Sequence, residues 1–88
     1  MTKYKLVFSP LAQKDAKKLE KSHLKDKCKK LLEIIAHDPF CSSPSYEKLQ
    51  GDLQGFFSRR INIQHRLVYT VDSKLRIIKV FRMWTHYE

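Results

Sequence analysis

The sequence is poor in residues that break or cross-link a chain. Two glycines and three prolines in 88 residues argue against long flexible segments. Two cysteines, Cys28 and Cys41, are too few for a disulfide framework or a zinc site. The N-terminus carries charge where a signal peptide needs an apolar run, and no segment approaches the length of a transmembrane helix. We therefore expect one cytoplasmic domain over residues 1–88, with no membrane association.

Acidic residues are also scarce. Nine Asp and Glu face eighteen Lys and Arg, which gives a net charge of +9 with His neutral. This surplus predicts attraction to a polyanion through its phosphates, although a basic protein neutralised by an acidic partner fits it as well. All five arginines follow residue 58, whereas most lysines lie in the first third of the chain. Because the planar arginine side chain can hold a phosphate with two hydrogen bonds, a defined phosphate contact is expected in the C-terminal half.

The N-terminal half predicts one strand followed by two helices. Residues 3–8 are rich in aromatic and β-branched types and fit a short strand. A first helix is expected over residues 9–22, because it begins with the Ser-Pro pair typical of an N-cap and first turn. A second apolar stripe runs through residues 24–35, includes Cys28, and ends at the Asp38-Pro pair. The helices are expected to form an antiparallel hairpin with their lysines in solvent.

The C-terminal half changes to a strand pattern. Strands are predicted over residues 56–63, 66–71 and 75–84, separated by the short polar breaks that join hairpins. Residues 46–49 fit a very short edge strand. Three consecutive strands with short turns form an antiparallel meander, and the helix pair would cover one face of this small antiparallel sheet. The pattern therefore predicts a two-layer α+β domain.

Few residues are suited to metal-free cleavage of RNA. In that reaction a base activates the 2′-hydroxyl, an acid protonates the leaving 5′-oxygen, and a cation stabilises the phosphorane. His86 follows a predicted strand with only Thr85 between them, so the strand can hold it against the sheet, which slightly favours function over a solvated terminal residue. Glu47 taken alone fits a surface carboxylate paired with lysine better. Arg66 begins an apolar strand, where a charge is costly unless it pairs with a carboxylate or binds a ligand phosphate.

Two further arginines, Arg59 and Arg60, occupy the neighbouring predicted strand. Alternation along a strand sends successive side chains to opposite faces of the sheet. One of the two is therefore expected to join Arg66 in a phosphate site, while the other meets solvent.

Four segments of the sequence resemble the Txe/YoeB family of bacterial toxins, which belongs to the larger RelE/ParE superfamily. They are Tyr46-Glu47-Lys48-Leu49, Ser58-Arg59-Arg60-Ile61-Asn62, His65-Arg66-Leu67-Val68-Tyr69 and Trp84-Thr85-His86-Tyr87. The resemblance extends over essentially the whole chain, since the helix pair and the meander also agree in order and length. Residues 58–69 together with the terminal His-Tyr pair are specific, whereas either alone is weak. Glu88, after that pair, departs from the family pattern.

The resemblance implies a RelE-like fold and a defined activity. Members of the family are ribosome-dependent endoribonucleases that cut messenger RNA in the ribosomal A site and stop translation, without a metal or other cofactor. It assigns general base to Glu47, general acid to His86, phosphorane stabilisation to Arg66 and placement of the RNA to Tyr87. Further RNA contacts are expected from Lys48, Arg59, Arg60 and Trp84. The expected partners are a cognate antitoxin, the ribosome and messenger RNA, and a homodimer is left open.

Three alternatives accompany this assignment. A gyrase-directed toxin of the same superfamily would not need Glu47, Arg66 and the terminal His-Tyr pair together. A module that binds nucleic acid or ribosome without cutting fits the charge equally well, and only the site residues argue against it. A metal site built from His86 and Glu88 has too few ligands for a catalytic metal.

Overall fold

The described part of the chain forms one strand, then two helices, then four more strands. A computed structural model describes residues 3–42, 45–62 and 65–85, and for Leu53, Trp84 and Thr85 it describes the backbone alone. The elements are strand β1 (Lys5–Phe8), helix α1 (Pro10–Glu20), helix α2 (Lys25–His37), strand β2 (Tyr46–Lys48), a 3₁₀ turn (Gly51–Leu53), strand β3 (Phe57–Arg60), strand β4 (Arg66–Asp72) and strand β5 (Ile77–Thr85). The predicted α+β class is confirmed.

The start of α1 is fixed by Ser9, as the sequence predicts. The Ser9 hydroxyl oxygen accepts a hydrogen bond from the Ala12 N–H at 3.0 Å, and Pro10 opens the helix. The same hydroxyl donates to the Phe81 carbonyl at 2.7 Å. One side chain therefore caps the helix and ties its first turn to β5.

Helix α2 presents its predicted apolar stripe to the sheet. Cys28, Leu31 and Ile35 are buried, and the helix ends where Asp38 adopts an extended backbone before Pro39. The lysines of both helices lie on the exposed side of the layer. No helix in the described ranges is long and apolar enough to span a membrane.

Within the described residues, five strands form one sheet in the order β1-β5-β4-β3-β2. The pairs β2–β3, β3–β4 and β4–β5 are antiparallel, which confirms the predicted meander and the short edge strand. Strand β1 runs parallel to β5, from Lys5 opposite Ile77 to Phe8 opposite Val80, so the sheet is mixed and not antiparallel throughout. A parallel pair needs a long crossover between its strands, and α1 and α2 form the first part of it.

Strand boundaries at two turns differ from prediction because side chains close the turns. Strand β3 ends at Arg60, three residues early, since the Asn62 side chain accepts a hydrogen bond from the His65 N–H at 2.7 Å. Strand β4 runs on to Asp72, whose carboxylate accepts from the Leu75 N–H at 3.0 Å. Leu75 therefore lies in the turn, 69% exposed, and β5 begins two residues later.

The core lies between the helices and one face of the sheet. Its buried members come from both layers: Ala12, Leu19, Leu24, Cys28, Leu31, Ile35, Ile61, Leu67, Tyr69, Ile78, Val80 and Met83. At about 25 cal/mol per Å² of apolar surface removed from water, this face supplies the main force that holds the helices on the sheet.

A buried ion pair joins the two layers. Asp15 of α1 is 2% exposed, and its carboxylate accepts hydrogen bonds from the Arg82 guanidinium at 2.9 and 3.3 Å and from the Met83 N–H at 3.0 Å. The pairing of β4 with β5 is irregular at this point, with register shifts either side of Val68. The carboxylate thus satisfies a backbone donor at an irregularity of the ladder.

Replacing Asp15 with Asn should destabilise the fold, because Arg82 would lose its charged partner while remaining partly buried. We expect a loss of about 3 kcal/mol in the free energy of unfolding, measured by urea denaturation. Glu33→Gln, at an exposed site of α2, is the control and should change stability by less than about 0.5 kcal/mol. Equal stability of the two variants would contradict the role given to Asp15.

The two cysteines should differ in reactivity. Burial raises the pKa of the Cys28 thiol to about 11, and its Sγ lies 3.9 Å from the sulfur of Met83. Cys41 is only half-buried. Because the thiolate is the reactive species, a thiol reagent at pH 8 should modify Cys41 first and Cys28 only on unfolding. Mass spectrometry of the native protein should find one modified site, and early modification of Cys28 would show that the helix pair opens.

Candidate active site

Glu47 and Arg66 meet on the sheet face that points away from the helices. Arg66 Nη1 lies 3.3 Å from Glu47 Oε1. The Glu47 side chain is 64% exposed and that of Arg66 17% exposed, so this ion pair contributes no more than about 1 kcal/mol to folding. The sequence suggested a lysine as the partner of Glu47, and the structure gives it an arginine instead. A pair this weak can be exchanged for a bound anion at little cost.

Ser58 completes the local arrangement. It is fully buried on β3, directly opposite Glu47 of β2, and its hydroxyl accepts a hydrogen bond from Arg66 Nη1 at 3.3 Å. Sequence reasoning missed Ser58 as a site residue. The signal was there, because period-two alternation places residue 58 on the same face as residue 60.

Among the described residues, the guanidinium of Arg66 uses only one of its nitrogens. Both of its hydrogen bonds to residues that the structure describes start from Nη1. Within that part of the chain, Nε and Nη2 have no partner. These two nitrogens belong to one planar group whose N–H directions match the oxygens of a phosphate.

The strand register brings a second arginine to this face. Arg60 of β3 lies directly opposite Arg66 of β4, and its side chain is exposed. Like charges opposite each other across a ladder repel, at a cost of roughly 0.2–1 kcal/mol, unless an anion lies between them. On the other side Arg66 lies opposite Thr85 of β5. The pair forms a positive strip across β3 and β4.

The Arg59 side chain lies on the opposite face of the sheet, as alternation predicts, but it is not exposed to solvent. It is 0% exposed, and its guanidinium donates to the Tyr69 hydroxyl and to the carbonyls of Pro39 and Cys41. The expectation that Arg59 contacts RNA is therefore corrected, since an interior guanidinium in this conformation does not reach a ligand. Of the two adjacent arginines, Arg60 is the exposed one.

Lys48 is exposed but lies on the other side of the edge strand from Glu47. It stands opposite Phe57, whose ring packs on the helix side against Tyr69. An open groove of about 630 Å³ runs beside it, lined by residues 48–51 and 54–57. The groove borders Glu47 without including it. Lys48 therefore remains a prediction for contacts outside the reacting centre.

The structure describes only part of the C-terminal candidate residues. Trp84 is placed in β5 by its backbone, and its side chain is not described. His86, Tyr87 and Glu88 lie outside the described residues. Among residues 3–42, 45–62 and 65–85, no three His, Cys, Asp or Glu side chains lie close enough together to hold a metal ion.

Comparison with known sequences points to one kind of protein. The sequence model described as the YoeB-like toxin of bacterial type II toxin–antitoxin systems matches residues 8–87. The chain is 45% identical over 67 residues to the Toxin YoeB of Synechocystis sp., covering 75% of this chain and 71% of that one. It is 47% identical over 51 residues to the Toxin YoeB of Streptomyces coelicolor, covering 57% and 61% of the two chains.

Solved structures agree with the sequences. The chain superimposes on a YoeB/ParE toxin from Agrobacterium tumefaciens with a TM-score of 0.87 at 29% identity, over 94% of this chain and 99% of the other. It matches the toxin of a YoeB–YefM complex from Staphylococcus aureus with a TM-score of 0.81 at 37% identity, over 96% and 98%. A YoeB dimer from the same organism gives 0.78 at 35% identity, over 97% and 99%. The predicted fold is confirmed by these superpositions.

Proposed function

This chain belongs to the YoeB-like toxins of bacterial type II toxin–antitoxin systems, and we propose that it acts as a ribosome-dependent endoribonuclease that cuts messenger RNA in the A site. Cleavage would proceed by acid–base catalysis without a metal and would stop translation. The observation that best supports this is the contact of Glu47 with Arg66, whose Nε and Nη2 have no partner among the residues that the structure describes.

Each proposed role has a physical basis. Glu47 takes the proton of the 2′-hydroxyl, whose oxygen then bonds to the adjacent phosphorus. Arg66, with Arg60 beside it, stabilises the negative charge that develops on the phosphorane oxygens. The bond to the 5′-oxygen breaks, and His86 supplies its proton. The products are a 2′,3′-cyclic phosphate and a 5′-hydroxyl.

We assign the C-terminal residues to the same site from their position in the sequence, directly after β5. Strand β5 ends at Thr85, which lies opposite Arg66. His86 and Tyr87 are the next two residues of the sequence. This supports placing the general acid, and the tyrosine that orients the RNA, beside the phosphate-binding arginine. Trp84 and Lys48 remain proposed RNA contacts.

The proposed partners follow from the relatives. The Staphylococcus aureus relative is described in complex with YefM, and separately as a dimer. We propose that this chain is neutralised by a cognate antitoxin and self-associates in its absence. The net charge of +9 favours an acidic partner and, when free, association with ribosomal RNA.

Removing either proton-transfer group should abolish cutting. In Glu47→Gln or His86→Ala, cleavage of a translated message should fall by about 10²–10⁴-fold, the usual contribution of a general base or acid. Binding to ribosomes, followed by co-sedimentation, should stay close to wild type. Glu33→Gln, which changes an exposed carboxylate of the helical layer, should cut normally. Near-normal cutting by both site variants would refute the assignment.

The chemistry of the cut ends tests the mechanism separately. With magnesium kept only at the level that ribosomes need, a chelator that removes transition metals should leave the rate unchanged. Mapped fragments should carry 2′,3′-cyclic or 3′-phosphate ends. Fragments with 3′-hydroxyl ends would indicate a metal-activated water instead. Ribosome binding without any cut would favour the non-cleaving module.

A further inference from the structure

The buried guanidinium of Arg59 lies outside the catalytic face, yet it contacts Tyr46, the residue before Glu47, and the carbonyls of Pro39 and Cys41 in the chain that leads into β2. We propose that Arg59 is a positioning residue that holds strand β2, and with it the Glu47 carboxylate, at the distance from Arg66 that catalysis needs. The inference rests on the proposed function of Glu47 as the general base.

Strand β2 needs such support. It has three residues, lies at the edge of the sheet, and is hydrogen-bonded there to β3. The chain before it, from Asp38 to Ser45, forms no helix or strand in its described part. Short edge strands next to irregular segments are among the first parts of a domain to open. An open β2 would carry Glu47 away from Arg66.

Arg59 ties the irregular segment to the sheet. Its Nη2 donates to the carbonyls of Pro39 at 3.1 Å and Cys41 at 2.7 Å, and its Nε donates to the Tyr69 hydroxyl at 3.0 Å. The Tyr69 hydroxyl in turn donates to the Pro39 carbonyl at 2.9 Å. Burial raises the pKa of Tyr69, an effect that Arg59 partly offsets, so the phenol keeps its proton for this bond. Arg59 of β3 and Tyr69 of β4 thus hold the chain that leads into β2 by hydrogen bonds to its carbonyls.

The same side chain also holds β2 directly. Arg59 lies opposite Tyr46 in the ladder, and its guanidinium carbon lies 5.0 Å from the centre of the Tyr46 ring. The ring packs against Phe40 and Phe57 at 6.3 and 5.7 Å between centroids. Tyr46 immediately precedes Glu47. Fixing its ring on the helix side therefore fixes the carboxylate on the opposite side.

An arginine suits this position better than other residues do. Burying a charge is costly, and an apolar side chain would pack at least as well. The planar guanidinium, however, donates at once to three oxygen acceptors, one on β4 and two on the irregular segment. A lysine or a methionine cannot do this. Two of those acceptors are backbone carbonyls of the irregular segment, and the Pro39 carbonyl accepts from the Tyr69 hydroxyl as well. The charge therefore determines geometry more than it adds stability.

The test compares Arg59→Lys with Arg76→Lys. Arg76 also lies over a tyrosine ring, Tyr4 at 4.6 Å, but it belongs to the turn before β5 and is exposed. Both changes replace a planar guanidinium with an ammonium group of the same charge. Amide hydrogen exchange measures local opening at residues 46–49, with β4 as the internal reference. Ribosome-dependent cleavage gives kcat and KM.

In Arg59→Lys, exchange at residues 46–49 should accelerate at least about 10-fold, while β4 stays protected. The kcat should fall about 10–100-fold with KM within a factor of two, because a displaced base slows the chemical step and not binding. Arg76→Lys should leave both measurements at wild-type values. Tyr69→Phe removes the hydroxyl that bonds Arg59 and Pro39, and should reproduce the pattern more mildly if Arg59→Lys does not fold.

Several outcomes would overturn the proposal. Unchanged exchange at residues 46–49, in whichever of the two variants folds, would show that Arg59 does not hold β2. Equal acceleration in β4 would make its role one of global stability. Faster exchange at β2 with normal kcat would separate the strand from catalysis. A wild-type protein that cuts no message would instead refute the proposed function, and the exchange data would still decide whether Arg59 holds the strand.

Discussion

The register of β4 against its two neighbours is the constraint on which the rest of the structure depends. Leu67 and Tyr69 in this strand are fully buried in the core between the helices and the sheet. A slip of one residue would turn every side chain of the strand to the other face, so burial fixes the pairing. That pairing places Arg66 opposite Arg60 on one side and Thr85 on the other. A positively charged strip on the open face therefore follows from apolar packing on the helix side.

The role of each arginine depends on the direction in which its side chain points. Arg60 and Arg66 are on the open face, where a phosphate can reach them. The ion pair of Arg66 with Glu47 is weak, so a bound anion can replace Glu47 as the partner of Arg66. Arg59 and Arg82 are directed inwards, to backbone carbonyls and to the buried Asp15 carboxylate. Both inward contacts hold parts of the chain that the ladder alone does not hold: the approach to β2 and the irregular end of β5.

This division suits a small toxin. A chain of 88 residues has a thin core and little capacity for long loops. Its proposed reacting groups therefore lie on the edge strand, the central strand and the residues after β5, instead of in a deep pocket. An open site of this kind accepts a substrate held by a larger body, here the proposed ribosome-bound message, and can be covered by a partner protein.

The sequence by itself determined the order of elements, because Ser9-Pro10, the apolar stripe around Cys28 and the alternation after residue 56 are local signals. It also predicted Glu47 and Arg66 as site residues through the family resemblance, and the separation of Arg59 from Arg60 through alternation. Only the tertiary structure decided that Arg59 is interior, that Ser58 supports Arg66, and that β1 runs parallel to β5. These depend on contacts between residues far apart in the chain, where the identity of a residue does not reveal its partner.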